Sequence, residues 1–272
     1  MISQLLLVAG VGVLATALRT VSHPAAFRIG TLGLVATSFL AGWLLGGSLV
    51  LGVVFAAMWF LLPWLEILTR VRKLRLPLNR RLEKSPPPPA SRFPNLGELT
   101  DELEAMEFEH SEDVDWRHDD MRQFYRLFYN AEKRTAAAVC LVEQGEFSFF
   151  YVAFTSHGKD GRIFMTWNYP FSYGMRQQPQ MVLNRVEEDE GVEALAESHQ
   201  IFLSGLSLEN GALAELQIQD LREEFQKDQR LQIEHNIACG ILRHDGDEMI
   251  RYSVRGMFFL WFQFLREFVR LS

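Results

Sequence analysis

The stretch Ser156-His157-Gly158-Lys159-Asp160-Gly161 gathers a serine, a histidine and an aspartate, the side-chain types of a nucleophilic relay. A relay needs those groups to converge, whereas neighbours in one tight turn point apart. Asp160-Gly161 is ordinary turn chemistry. The segment is therefore a loop at a strand end, and no catalytic residue is assigned. His157, together with Trp167 and Asn168, is read instead as a ligand-binding set. An imidazole, an indole and a carboxamide offer stacking and hydrogen bonding without bond breaking.

Metal and cofactor signals are weak. His235 and His244 flank Cys239 at spacings of four and five, looser than the paired spacing of a four-ligand zinc site. His110 and His118 sit among carboxylates in 109–120 without a calcium-loop spacing, so that stretch reads as an acidic solvated loop. His199 falls in the middle of an apolar helix face and reads as a core histidine. P-loop, dinucleotide-glycine, H-E-x-x-H and G-x-S-x-G patterns are absent from the sequence. No cofactor and no metal are expected. Cys140 and Cys239 are too few for a disulfide framework and are expected as buried thiols in a reducing compartment.

The elements that must position these residues are strands and helices in alternation. Segments 122–130, 134–143, 146–155 and 162–167 are rich in β-branched and aromatic residues and separated by short turns, which predicts a four-stranded antiparallel meander. Both faces of 146–155 are apolar, so it is expected to be central and covered by helices. Helices are predicted from Asn95 to about Phe108, from Val192 to Leu206, and from about Leu208 to Ala238. A hairpin about Asp245-Gly246-Asp247 follows. The fold class is an α+β domain over 95–254. Its last stretch, with Gly240-Ile241-Leu242 before the turn and Arg251-Tyr252-Ser253-Val254 after it, resembles the wing and following helix of winged-helix proteins. The preceding helix carries Glu223, Glu224 and Asp228, the wrong charge for phosphates, so a generic hairpin is the reading and no nucleic-acid partner is expected.

What precedes the domain belongs to a membrane. The chain has 272 residues, 48% hydrophobic and 22% charged, with a net charge of -7. These averages conceal two halves: up to Leu65 the only ionised side chains are Arg19 and Arg28, whereas 94–254 carries 31 acidic against 14 basic residues. Apolar runs predict an all-α anchor over 1–68 with spans at 2–18, 29–45 and 49–68, the last two turning back at Gly46-Gly47-Ser48. Arg70, Arg72, Lys73 and Arg75 follow the third span and form a membrane-surface stripe, which places that end in the cytoplasm and the N-terminus outside. The expected location is the plasma or inner membrane. Residues 69–94 add a proline-rich linker built on Pro86 to Pro89, read as a stiff stalk.

Residues 255–272 form an aromatic amphipathic helix, too short to span, whose Trp261 and Phe262 are assigned to the membrane surface. Packing on the domain or a dimer mate, and tilted partial insertion, are its other placements. Gly42 and Gly46 make a G-x-x-x-G that serves packing within the span hairpin or dimerisation. The reading of function is a membrane-anchored protein whose acidic cytoplasmic domain binds a protein or small ligand. The bilayer is one partner, and a protein or a second copy of the chain another. The alternative is a membrane-tethered enzyme with a pocket hidden from the linear sequence.

Overall fold

The computed structural model describes residues 2–21, 23–171, 174–186, 191–208 and 210–269. It begins with α1 (Ile2–Arg19), α2 (Pro24–Leu40), a single π turn (Ala41–Leu45) and α3 (Leu49–Thr69). Three helices here are long and apolar enough to cross a membrane: Ile2–Arg19, Ala25–Leu45 and Leu49–Lys73. The second starts earlier than the expected residue 29. Proline suits a first helical turn, and the His23 ring accepts the Ala25 N–H at 3.2 Å, so the helix begins before Arg28.

The reversal between the second and third helices falls at Gly46-Gly47, with Gly47 at φ 68. Gly42 is used inside this hairpin: a Cβ there would stand 2.5 Å from the Leu51 carbonyl oxygen. The Trp59 indole also ties the pair by donating to Ser38 Oγ at 2.8 Å.

Past these helices come β1 (Leu76–Pro77), β2 (Glu83–Lys84), α4 (Leu96–Ala105), β3 (Glu109–His118) and β4 (Met121–Asn130). These are followed by β5 (Thr135–Gln144), β6 (Phe147–His157), β7 (Ile163–Trp167) and β8 (Met181–Arg185). Then come α5 (Val192–Gly205), α6 (Leu221–Ala238), β9 (Leu242–His244), β10 (Met249–Tyr252) and α7 (Val254–Val269). A seven-stranded sheet runs in the order β2-β3-β4-β5-β6-β7-β8, antiparallel except for the parallel β7–β8 pair. The α+β layout holds, but the sheet exceeds the expected four strands.

The largest correction is β3, expected as a solvated acidic loop. Its charge is neutralised by its neighbour. Asp113 stands opposite Arg126 and accepts from its Nε and Nη2 at 2.8 and 2.7 Å. Asp115 Oδ2 accepts from Arg117 and Arg122, and its carboxylate also binds Ser85. Burial raises the Asp115 pKa, but the hydrogen bonds from Arg117, Ser85 and Arg122 outweigh it and hold the carboxyl below its usual range. Alternating with these acids, Val114 and Trp116 are buried on one face, so the segment has the alternation of a strand under an acidic disguise.

Residues 69–94 are not a free stalk. Leu76 pairs with Ile250 in a second sheet, β1-β10-β9, while Glu83 and Lys84 pair with Asp115 and Val114. Leu76 and Leu82 are buried in the domain, which fixes the segment that leaves the three apolar helices onto both sheets. The helix expected from 208 to 238 is also shorter. Two 3-10 turns, Asn210–Ala212 and Ile218–Asp220, occupy its first part, and only Leu221–Ala238 is α-helical.

The large sheet is covered on both faces. Phe124, Phe128, Val139, Leu141, Val152 and Phe154 pack against α4 and α5 through Leu99, Leu103 and Leu195. Tyr125, Leu127, Tyr129, Ala138 and Cys140 point the opposite way, toward Leu221 and Phe225 of α6. The C-terminal helix α7 packs on α2 and α3. The Trp261 indole donates to the Phe60 carbonyl at 2.8 Å and Trp64 meets Phe258 edge-on, whereas Phe262 stays exposed. Arg270, read with this helix, lies outside the described residues.

Candidate ligand cavity with a His-Glu-Asp rim

The face of the sheet toward α6 is not filled. Rows of paired residues run across the strands there: Tyr125, Cys140 and Tyr151 in one, and Leu127, Ala138, Ala153 and Trp167 in the next. Where the opposite face places phenylalanine and leucine, Ala136, Ala138 and Ala153 present single methyl groups. A helix resting on taller neighbours cannot close down onto them. The result is a cavity of about 170 Å³ between sheet and helix, with an alanine floor and walls from Tyr125, Tyr151, Trp167, Tyr169 and Phe225.

Its lining is electrically neutral except at the rim. Burial pushes the Tyr151 phenol up strongly, the neighbouring Cys140 and Tyr125 adding to the effect, and burial also raises Tyr169. The Cys140 thiol is pushed up by the same desolvation, so all three keep their protons. The charge-bearing side chains of the lining are Arg80, Glu224 and Asp228, with His157 beside the acids.

His157 is the last residue of β6, and its carbonyl accepts from Ala214 N at 2.7 Å, which anchors the strand end. Glu224 and Asp228 are one helical turn apart on α6 and share a face. His157 Nε2 lies 2.8 Å from Asp228 Oδ2, a contact across a sequence separation of 71. The Glu224 oxygens accept from Lys227 Nζ at 3.0 and 3.2 Å.

Of the three ligand residues expected from the sequence, His157 and Trp167 line this cavity. Asn168 is buried, and its Oδ1 accepts the Val152 N–H at 2.7 Å, so it braces β6 where β7 ends. The aromatic loop after β7 supplies Tyr169 and Met175 to the wall, while Ser172 and Tyr173 lie outside the described residues. This loop is clamped to α6: Asn236 Oδ1 accepts from Arg176 N at 2.7 Å, and Gln232 Oε1 from Gln178 N at 3.2 Å. In the sequence Glu224 and Asp228 read only as charges that repel phosphates. Their i, i+4 spacing was visible, but the histidine they meet is remote in the chain.

A second histidine has the appearance of a relay and is sealed. His199 Nε2 lies 3.1 Å from Ser156 Oγ, which lies 2.9 Å from Thr135 Oγ1, and His199 Nδ1 lies 2.9 Å from Thr166 Oγ1. His199, Ser156, Thr135 and Thr166 are all fully buried. Desolvation lowers the His199 pKa to about 4, so the ring is neutral. It fits the expectation of a core histidine, satisfied by hydroxyls.

Arg70, Arg72, Lys73 and Arg75 are exposed just beyond α3, and Arg75 Nε also meets Asp245 at 2.8 Å. Cys140 and Cys239 are free thiols, the first buried and the second partly so. Comparison with known protein families, curated proteins and solved structures finds no match to this chain.

Proposed function

We propose that the domain is a membrane-anchored binding module that takes a ring-sized small molecule into the cavity beneath α6. The observation that carries this reading is the alanine floor: the sequence places three methyl groups where packing would otherwise close the sheet against the helix. A dry apolar cavity on the order of 150 Å³ accepts benzene, and this one is of that size. The rim acids favour a ligand whose polar end is cationic or donates hydrogen bonds, and the ring of aromatic walls suits the same charge.

The basic residues after α3 support a cytoplasmic placement of the domain, with the N-terminus outside. Exposed Phe258 and Phe262 on α7, which lies on α2 and α3, support contact of that helix with lipid. The domain would then be held to the bilayer by its first and last elements.

The test is a thermal-shift screen of the full detergent-solubilised chain against ring-sized amines and their neutral analogues. Amines are expected to raise Tm, with quenching or enhancement of tryptophan emission. If neither set shifts Tm, the small-ligand reading fails. Conversion of a captured compound would move the protein to the enzyme alternative, with the His157–Asp228 pair as acid or base. Protease protection of tags at the two ends and in 85–92 tests orientation.

A further inference from the structure

The three rim residues form a constellation in their own right. A strand end and one turn of a helix bring a ring nitrogen and two carboxylate oxygens within 4.8 Å of one another. Asp228 is 8% exposed, and a carboxylate this far from water needs a counter-charge. Its neighbour is the His157 ring, and on the far side of that ring Nδ1 is buried with no hydrogen-bond partner among the described residues. Among the described residues, Glu224 is held by Lys227, an exposed ammonium on a flexible stem that can leave without disturbing the fold.

We propose that His157, Glu224 and Asp228 bind a divalent transition metal of the zinc class, whose remaining coordination positions face the cavity. One imidazole with two carboxylates is a borderline donor set: the nitrogen disfavours calcium and magnesium, and the oxygens admit zinc or manganese. Zinc bonds of about 2.1 Å in tetrahedral geometry hold neighbouring ligand atoms roughly 3.4 Å apart. The present 2.8 Å between His157 Nε2 and Asp228 Oδ2 therefore opens by some tenths of an ångström while Glu224 turns inward. The proton shared in that contact leaves Nε2 for Nδ1 or for solvent as the cation takes its place. Three protein ligands leave at least one position for water or for a donor atom of a cavity ligand, the arrangement of an open site. The site stands on its own side chains and does not require the small-ligand reading to hold.

The experiment uses the full chain in detergent, stripped with a chelator and titrated with Zn²⁺ in competition with a chromophoric chelator, with Mn²⁺ and Ca²⁺ in parallel. One zinc per chain is expected, bound more tightly than calcium. His157→Gln and Asp228→Asn are each expected to weaken zinc by tenfold or more, with circular dichroism showing that both variants fold. Cys239→Ser removes the alternative zinc ligand pair, in which Cys239 Sγ lies 3.5 Å from His235 Nε2, and is expected to leave zinc binding unchanged. The proposal is overturned if the folded wild type takes up no zinc, if Asp228→Asn binds it as well as wild type, if Cys239→Ser abolishes binding, or if calcium binds more tightly. Thermal shifts by organic amines in a chain that ignores zinc would sink this site alone.

Discussion

The two faces of the seven-stranded sheet differ in the bulk and the polarity of the side chains they present. Against α4 and α5, the strands contribute Phe124, Phe128, Phe154 and Leu141, all buried, and His199 is closed in by the Ser156 and Thr166 hydroxyls, with Thr135 behind Ser156. Against α6, the same strands contribute Ala136, Ala138 and Ala153, and His157 sits at a rim beside two carboxylates. Strand pairing is common to both faces, so only side-chain size and polarity separate them. A filled face stores stability. An underfilled face gives some up for a space that a ligand can occupy.

The comparison breaks most directly on the packed side. Phe154→Ala is expected to cost about 4 kcal/mol, since it removes a fully buried ring with no room to collapse. Urea unfolding followed by tryptophan emission would measure this, and a cost near that of a surface change would mean the face is not tightly packed. Next in size is a pH effect from His199, whose folded pKa of about 4 lies below its ordinary 6.5. The unfolded chain then binds more protons between these values, so stability present above about pH 6.5 declines as pH falls toward 4, by about 3 kcal/mol. His199→Asn should flatten that part of the profile. Asp115, held below the usual carboxylate range, loses its contribution only at still lower pH and leaves a residual acid slope.

Thr166→Val on the same face strips the partner from His199 Nδ1 and is expected to cost about 2 kcal/mol, read from the shift in the urea midpoint. The smallest effect belongs to the cavity. Ala138→Val should change stability by less than about 1 kcal/mol, because its methyl groups enter existing space. The same change should abolish the thermal shift from ring-sized amines. A large destabilisation by Ala138→Val would show that the floor is already in contact with α6 and that the two faces are alike.

The sequence displays the packed face more clearly than the cavity. Alternation in β4, β5 and β6 makes those strands readable, because each has apolar residues on both sides and a turn at each end. His199 is readable as core from its helix face. By contrast, β3 hides its alternation under acids whose partners, Arg122 and Arg126, lie on the next strand, so its charges resemble those of a loop until the pairing is known. The strands β1 and β2 are two residues each, below the length at which periodicity carries a signal. Leu76 and Leu82 gave local hydrophobic hints that the neighbouring basic residues and prolines obscured.

At the site, His157 and Trp167 were recognisable as polar and aromatic groups at strand ends. Glu224 and Asp228 were not, since an i, i+4 acidic pair on a helix is ordinary solvated surface unless the fold carries it to a histidine. The run Ala136-Ala137-Ala138 was a visible sign of missing bulk. Its meaning depended on which face α6 would cover. Asn168 illustrates the converse: its chemistry suited a ligand, and the fold spends it on the Val152 amide.

The way the large sheet stops at each side bears on how the protein behaves when many copies share one membrane. An open sheet carries two margins where the backbone of another molecule could add and start a fibre. One margin here is β2, which covers only Val114 and Asp115, so most of that side is the edge of the ten-residue β3, a strand bearing Glu109, Glu112 and Asp113. The other is β8, five residues ending in Arg185, which meets Glu267 at 3.5 Å. Acidic side chains along β3 and the shortness of β8 work against backbone addition by neighbouring copies crowded in the plane of a bilayer.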